Sequence, residues 1–156
     1  MSIEKVRAFM KERGYAHRIQ EFSVSSATVE LAAAALGCEG CRIAKTLSFA
    51  IGERTILIVA AGDARIDNPK YKAYFGTKAK MLSHEEAPVR VGHAVGGVCP
   101  FAVNEGVEVY LDESLKRFET VFPACGSSNS AIELTLGELE DLTKPSVWVD
   151  VCKLPE

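Results

Sequence analysis

The sequence predicts an α+β fold in which short helices surround a mixed β-sheet or a partly closed barrel. Three observations lead to this fold class. Strand-like and helix-like segments are interleaved irregularly, unlike the regular alternation of doubly wound proteins. Two apolar strand candidates follow each other across a three-residue turn, which is typical of a buried hairpin. The 156 residues contain no linker or repeat, so residues 1–156 are predicted to form one domain.

The N-terminal part of the chain predicts two helices with a short strand between them. Apolar residues at helical spacing predict a helix over residues 2–13. Residues 17–22 (HRIQEF) predict a short strand. Ser25 or Ser26 is predicted to cap the second helix, and Gly37 is predicted to end it.

The rest of the chain predicts a hairpin followed by short elements. Residues 43–51 and 55–61 are its two strands, joined by a turn that contains Gly52. The later elements are a helix at 68–75, an edge strand at 78–82, a helix that starts at Ser83 and ends before Pro88, strands at 107–111, 120–124 and 130–134, a helix at 136–142 and a strand at 147–152.

Composition and charge exclude several classes of protein. A formal net charge of -3 argues against a protein that binds duplex DNA by charge alone, although it is compatible with a local basic patch. No apolar run is long enough to span a membrane, and the N-terminus lacks the apolar core of a signal peptide. We therefore expect a cytoplasmic protein without a membrane partner, in which the five cysteines are thiols.

Lys45 is the unusual residue of the first hairpin strand. Lysine is almost never fully buried without a partner, yet Lys45 lies in a strand that otherwise consists of core-like residues. Two interpretations follow from the sequence. Either the side chain extends along the apolar surface to reach solvent, or its ammonium group points into a pocket.

Two glycine-rich loops are candidates for close contact with a ligand. Residues 92–100 (GHAVGGVCP) match neither the P-loop pattern nor the dinucleotide-binding pattern. Their glycines can nevertheless expose backbone N–H groups to a ligand. Residues 126–129 (GSSN) form a second loop of small residues between two predicted strands. Taken alone, the spacing favours a plain tight loop for the first segment and a hairpin turn for the second.

The cysteines offer two further candidate sites. Cys38 and Cys41 form a C-x-x-C motif, but no second ligand pair completes a zinc site, and the motif follows a helix instead of opening one. We therefore expect no metal and no cofactor. His93 and Cys99 flank the glycine loop as a conceivable nucleophile pair. The sequence favours the alternative, a loop histidine in solvent above a packed thiol, because no local residue orients the pair.

Three segments, taken in order, resemble the YbaK and prolyl-tRNA synthetase-associated editing domains. The first runs from Thr28 to Phe49 and includes RIAKTLSF. The second is the glycine loop VGHAVGGVCPFAV, and the third is FPACGSSNSAIELTLGELEDLT. Together they cover roughly residues 1–150, so the resemblance extends over nearly the whole chain.

The resemblance implies a free-standing aminoacyl-tRNA deacylase with a strongly curved or barrel-like mixed sheet and short flanking helices. Such an enzyme hydrolyses the ester between a wrong amino acid and the tRNA 3′ end, for example Cys-tRNA(Pro) or a tRNA that carries another small amino acid. The implied partner is that tRNA 3′ end, and an aminoacyl-tRNA synthetase that delivers it is a further candidate partner.

The resemblance also implies which residues form the site. Lys45 matches the family's functional lysine, residues 96–100 match the loop that lines the amino-acid pocket, and residues 126–127 match the second glycine loop. The implied catalytic groups are Lys45, Gly96 and Gly97, and the implied substrate-binding residues are Val98, Cys99, Pro100, Phe101, Gly126 and Ser127.

Some residues depart from the family pattern and leave the amino-acid specificity open. Cys99 stands where many members have serine, Ala102 where many have glycine, and His93 where a tyrosine is usual. Two alternatives to a deacylase follow from these departures. One is a binding module that recognises an aminoacyl or nucleotide end without turnover, and the other is a hydrolase that uses Cys99 as its nucleophile.

Overall fold

The computed structural model describes residues 2–155 and is built around a six-stranded mixed sheet. The helices are α1 (Ser2–Glu12), α2 (Val29–Leu36), α3 (Asn68–Phe75), α4 (Glu86–Arg90) and α5 (Leu136–Leu142). The strands are β1 (Gln20–Glu21), β2 (Ile43–Ile51), β3 (Arg54–Ala61), β4 (Arg65–Ile66), β5 (Glu108–Asp112), β6 (Thr120–Pro123), β7 (Ser130–Ala131), β8 (Leu134–Thr135), β9 (Ser146–Val149) and β10 (Cys152–Lys153). Short 3-10 helices occupy Ala16–Arg18, Gly40–Arg42 and Glu113–Arg117.

The sheet has the strand order β8-β6-β2-β3-β5-β9 and curls into a half-barrel. Its centre is the antiparallel β2–β3 hairpin, which is extended on both sides by parallel strands, β6 next to β2 and β5 next to β3. Two small two-stranded sheets, β1–β7 and β4–β10, complete the strands of the described chain. The predicted fold class, a strongly curved mixed sheet with short helices, is confirmed.

Strand β3 is buried along nearly its whole length because both of its faces are covered. Residues 56–61 have no exposed surface, and they read as a continuous apolar run. Such a run is typical of a central strand with packed layers on both sides. The partner strand β2 is less uniformly buried, since Lys45, Thr46 and Leu47 are only partly buried. The difference between the two strands indicates that an opening lies beside β2.

The opening arises because the outer edge of β2 is paired only at its two ends. Strand β6 pairs with Ile43 and Ala44, and at the other end Lys80 and Leu82 form backbone hydrogen bonds with Ala50 and Ser48. Residues 45–47, between these two contacts, have no strand partner on that edge within the described chain. The interruption leaves a gap in the side of the half-barrel.

Two predicted element boundaries near the first helices are wrong. Helix α2 is capped by the hydroxyl of Thr28, which accepts from the Leu31 amide, and not by Ser25 or Ser26. Ser26 is used elsewhere, because its amide and its hydroxyl both donate to the Ser128 carbonyl. The segment 17–22 forms a 3-10 turn and a two-residue strand instead of one longer strand.

Several later boundaries also differ from the prediction. Residues 78–82 form a single bridge, between Met81 and Phe49, and not an edge strand. Helix α4 includes Pro88, which is tolerated because it lies in the first turn, where backbone N–H groups need no helical partner. The strands predicted at 130–134 and 147–152 are each divided into two short strands. Between the two short strands, the Ile132 amide donates to the Pro123 carbonyl in one case, and the Val151 amide donates to Asp112 Oδ1 in the other.

Candidate functional site

A cavity of about 480 Å³ opens at the unpaired edge of β2. Five segments contribute to its wall: the start of α2 (within 26–32), β2 (43–48), the segment that bridges to β2 (within 81–84), the glycine loop (within 95–98) and the region of β6 and β7 (within 122–131). Most of these side chains are small or apolar. The cavity therefore offers an apolar space with a few polar groups, which is the usual character of a small-ligand site.

Lys45 lies in the wall of this cavity and is held by backbone carbonyls. Its ammonium group donates to the carbonyl oxygen of Gly62 at 3.3 Å and to that of Ala64. An ammonium group has three N–H donors, so one donor remains for a ligand. Burial lowers the pKa of Lys45, while the nearby Cys152 and Asp63 act in the opposite direction. Of the two interpretations from the sequence, the structure favours an ammonium group that belongs to a pocket.

The carbonyl acceptors of Lys45 are positioned by two glycines that face each other. A side chain at Gly62 would place its Cβ 2.1 Å from the carbonyl oxygen of Gly40, so the two backbone segments touch. Gly40 is the third residue of the C-x-x-C motif and begins the short 3-10 helix Gly40–Arg42, and Gly62 follows β3. The close approach fixes the turn that presents its carbonyl groups to Lys45.

The two glycine-rich loops predicted from the sequence meet in the structure. A Cβ on Gly97 would lie 2.8 Å from the carbonyl group of Gly126 and from the amide nitrogen of Ser127. Gly96 has a φ of 99° and lies beside Ala27 and Ser128. The structure therefore brings the first loop against both the second loop and the start of α2.

Backbone amides in the glycine loop differ in whether they are available. The Gly97 amide donates to the Ala94 carbonyl at 3.0 Å, so it is already used inside the loop. Within the described chain, the amides of Gly96 and Val98 donate to no other residue. Both of these residues line the cavity, whereas Gly97 does not. The Gly97 amide, which was predicted as a substrate donor, is therefore occupied, whereas the amides of Gly96 and Val98 are available at the cavity.

Cys99, Pro100 and Phe101 lie beneath the loop and not in the cavity wall. The side chains of Cys99 and Phe101 are fully buried, and Pro100 is buried as well. Burial raises the pKa of the Cys99 thiol to about 12. Because only the thiolate is a good nucleophile, this environment does not favour attack by Cys99 at neutral pH.

His93 is fully buried, so the predicted location in solvent is wrong. Its Nε2 lies 2.7 Å from the carbonyl oxygen of Phe101 and 3.6 Å from the Cys99 sulfur. A carbonyl oxygen only accepts, so Nε2 carries the proton and donates it. A protonated Nε2 cannot take a proton from Cys99, and Nδ1 has no partner in the described chain. The pair is therefore a structural contact that closes the loop.

The second glycine loop contributes through a neighbouring serine. Gly126 has a φ of 92°, which favours glycine, and the Ser127 hydroxyl lies 2.6 Å from that of Ser130. Ser130 lines the cavity, whereas Ser127 and Gly126 do not. Ser127 therefore stands behind the cavity wall and supports Ser130.

Thr46, which was not among the predicted site residues, has its backbone on the unpaired edge of β2. Ser48 and Ala50 form hydrogen bonds from that edge, and peptide groups two residues apart along a strand face the same way. The Thr46 peptide group therefore faces the cavity side. Its hydroxyl is buried and has no partner among the described residues. The feature of the sequence that could have indicated Thr46 is its position directly after Lys45 in the apolar strand.

Cys38 and Cys41 are free thiols, and burial raises the pKa of each. No group of three or more His, Cys, Asp or Glu side chains in residues 2–155 is arranged to hold a metal ion. Among the described residues, no helix has the length and apolar character needed to cross a membrane.

Comparison with known proteins links this geometry to one family. The model of the aminoacyl-tRNA editing domain matches residues 24–142. A crystal structure of a candidate trans-editing enzyme for prolyl-tRNA synthetase superposes with a TM-score of 0.86, at 31% sequence identity over 97% of each chain.

Two curated relatives show the range of sequence similarity. The uncharacterized protein YwhH of Bacillus subtilis is 55% identical over 154 residues, which cover 98% of each chain. A proline–tRNA ligase of Bacillus cereus is 24% identical over 102 residues, which cover 65% of this chain and 18% of the ligase. The similarity to the ligase is therefore restricted to a small part of that longer protein.

Proposed function

Because this chain belongs to the aminoacyl-tRNA editing domain family, we propose that it is a trans-acting deacylase. In this proposal the enzyme hydrolyses the ester between a wrong small amino acid and the 3′ end of a tRNA, with tRNA(Pro) as the preferred carrier. The observation that carries it is the cavity in which the ammonium group of Lys45 and the free amides of the glycine loop occur together. The resemblance to a candidate trans-editing enzyme for prolyl-tRNA synthetase supports the choice of tRNA.

Lys45 would bind the negatively charged or hydroxyl-rich end of the tRNA. Two of its three donors are occupied by the carbonyl groups of Gly62 and Ala64, and this fixes the direction of the third. A compact, fixed ammonium group suits the terminal phosphate or a ribose hydroxyl of a single-stranded 3′ end. Its role would be to position the ester in the cavity.

The glycine loop would stabilise the charge that develops on the ester carbonyl. The amides of Gly96 and Val98 are candidates for this task because both residues line the cavity and neither amide has a partner in the described chain. Water, oriented by a ribose hydroxyl, would be the nucleophile. An aminoacyl ester is already activated, so this modest machinery is sufficient in principle.

The apolar wall would select the amino acid by size. Val98 and Ala27 lie on the cavity side of the loops, and small residues predominate around them. A synthetase separates two amino acids that differ by one methylene group by only about 1–3 kcal/mol, so a second sieve is useful. A confined pocket of this kind admits a small wrong amino acid and excludes a larger correct one. Cysteine, alanine and serine are the amino acids to be tested.

A binding module without turnover is the second candidate function. It is favoured by the departures from the family pattern at Cys99 and Ala102, and Cys99, which stands where many members have serine, does not line the cavity. The third reading, a hydrolase with Cys99 as nucleophile, receives less support. The sulfur is fully buried, the pKa of the thiol is raised, and the adjacent His93 already donates its Nε2 proton to the Phe101 carbonyl.

The decisive experiment is a deacylation screen with purified protein and tRNA(Pro) that carries cysteine, alanine, serine or proline. We expect rapid hydrolysis of at least one small-amino-acid ester, slow hydrolysis of Pro-tRNA(Pro), and the same rates with EDTA. Tight binding of the charged tRNA without turnover would instead support the binding module. If the protein neither hydrolyses nor binds any of these substrates, both readings are contradicted.

A further inference from the structure

Positive charge is concentrated in one segment of an otherwise acidic chain. Residues 65–80 contain five cationic side chains and one carboxylate, while the whole chain has a net charge of -3. The cations are Arg65, Lys70, Lys72, Lys78 and Lys80, called the cationic rim below. A local patch of this kind is the electrostatic footprint of a polyanion partner, even where the net charge is negative.

Most of the cationic rim is unpaired and exposed. Arg65, Lys72, Lys78 and Lys80 are exposed, and within residues 2–155 their side chains form no ion pair or hydrogen bond. Lys70 is the exception, with Asp150 at 3.0 Å. Charges that already have partners contribute little to binding a polyanion. The four unpaired cations therefore remain available for an external anion.

The acidic groups around the rim are already engaged. Asp67 caps helix α3, where its side chain accepts from the Lys70 amide. Glu86 accepts from the Ser83 amide and lies 3.9 Å from Arg90, and Asp63 is paired with Arg117 at 2.6 Å. These carboxylates do not cancel the rim by direct contact with its unpaired side chains.

Both ends of the segment reach the cavity. At one end, Arg65 directly follows Ala64, whose carbonyl oxygen accepts from Lys45. At the other end, Lys80 precedes Met81 and Leu82, which line the cavity wall. The segment that carries the cationic rim thus begins and ends beside the opening.

Helix α3 is held firmly between these ends, so the cations have a fixed scaffold. Tyr71 is fully buried and stacks near Phe49 of β2, with ring centroids 5.3 Å apart. Phe75 packs edge-on against Tyr110 of β5 at 5.1 Å. The apolar face of α3 is fastened to the central sheet, and its lysines face the solvent.

We propose that the cationic rim binds the backbone phosphates of the tRNA acceptor stem while the aminoacylated 3′ end occupies the cavity. This rests on the proposed function, since the stem follows within a few nucleotides of the 3′ end. Lysines that contact phosphates position the nucleic acid and do not read its sequence. The rim would therefore supply affinity for any tRNA, and the cavity would select the amino acid.

The test compares two double variants that remove the same charge. Lys72→Ala/Lys78→Ala removes two unpaired rim lysines that do not line the cavity, and Lys11→Ala/Lys144→Ala removes two exposed lysines outside the rim. The dissociation constant for uncharged tRNA(Pro) is measured across a salt series. We expect the rim variant to bind roughly tenfold more weakly at low salt and to reduce the salt slope by about 2, with no change in the control.

A second measurement separates this proposal from the proposed function. The substrate is an aminoacyl-adenosine ester, which has the 3′ end but no stem, and the rim variant should hydrolyse it at the wild-type rate. Equal tRNA binding by the rim and control variants would overturn the role of the rim and leave deacylation unaffected. A rim variant that loses binding to prolyl-tRNA synthetase but not to tRNA would also overturn it. If no ester is hydrolysed even by the wild type, the proposed function fails, and the salt series still decides whether the rim binds tRNA.

Discussion

The ammonium group of Lys45 is held by two backbone carbonyl groups and not by a carboxylate. Carbonyl partners satisfy the donors without neutralising the charge, so the group remains cationic toward the cavity. A carboxylate partner would have formed an ion pair and weakened the attraction for phosphate. The arrangement is thus suited to binding an anion or a hydroxyl group at a fixed point.

We expect Lys45→Ala to lower kcat for deacylation by about 100-fold or more, because one fixed donor to the substrate is lost. The exposed Lys11→Ala serves as the matched control and should retain full activity. Rates are measured on the best mischarged tRNA from the screen, and thermal unfolding verifies that both variants fold. Wild-type turnover by the Lys45 variant would rule out a catalytic role for this lysine.

Cys99 is expected to be dispensable for the chemistry, because its thiol is buried, has a raised pKa and lies outside the cavity. Cys99→Ala should keep deacylation within a few-fold of the wild type. Iodoacetamide should label Cys38 or Cys41, which are partly exposed, before it labels Cys99. Rapid, selective inactivation through Cys99, together with an inactive alanine variant, would favour the thiol hydrolase instead.

At the scale of elements, the contact between the two glycine loops shapes the cavity. Gly97→Ala would push a methyl group to 2.8 Å from the backbone at Gly126 and Ser127, and neither backbone can yield as a flexible side chain would. We expect a loss of about 1–3 kcal/mol in the free energy of unfolding and a raised KM, since the loops would separate.

The matched control for this change is Gly137→Ala. Gly137 lies inside α5, and the nearest atom to its Cβ would be 4.0 Å away. Alanine should raise the free energy of unfolding by about 0.5–1 kcal/mol there, because it restricts the unfolded chain and favours the helix. Urea unfolding compares the two variants. Equal stability of Gly97→Ala and the wild type would show that the loops do not depend on this contact.

The elements that were predicted correctly are those whose pattern is local. The hairpin of β2 and β3 follows from two apolar runs and a glycine turn. Helix α5 matches the predicted range 136–142, and in the structure a local capping box of Thr135 and Glu138 begins it. Residues 78–82 were interpreted wrongly because their conformation depends on Phe49, which is far away in the sequence. Pro88 was interpreted wrongly for a local reason, since a proline in the first turn does not end a helix. Local patterns carry no information about which strand edge is left free.

At the scale of the whole molecule, one ion pair connects the two ends of the chain. Arg18, after α1, donates two hydrogen bonds to Glu138 in α5, at 2.8 and 3.1 Å, and a third to the carbonyl oxygen of Glu133. The hydrogen bond from Arg18 lowers the pKa of Glu138 from its ordinary 4.5 to about 2. Each side chain remains about a third exposed, so solvent reduces the energy of the pair.

This pair predicts a specific dependence of stability on pH. A carboxyl group with a lowered pKa stabilises the fold above its ordinary pKa, and the contribution disappears as pH falls from about 4.5 through about 2. We expect Glu138→Gln to lower the free energy of unfolding by about 1–2 kcal/mol at pH 7. Between pH 7 and pH 2.5, the free energy of unfolding of the variant should fall by less than that of the wild type. Urea unfolding at pH 7 and pH 2.5 measures the difference. If the free energy of unfolding falls equally in the variant and the wild type, the pH dependence does not come from Glu138.

The sequence by itself determined the fold class, the central hairpin and the approximate region of the site, because these depend on apolar periodicity and on three ordered motifs. Only the tertiary structure decided which groups face the cavity. It placed Lys45 and Gly96 in the wall, moved Cys99 and Phe101 beneath it, and brought in Thr46. The physical reason is that the cavity is a gap in strand pairing between distant segments, and the space that a gap leaves is a property of packing.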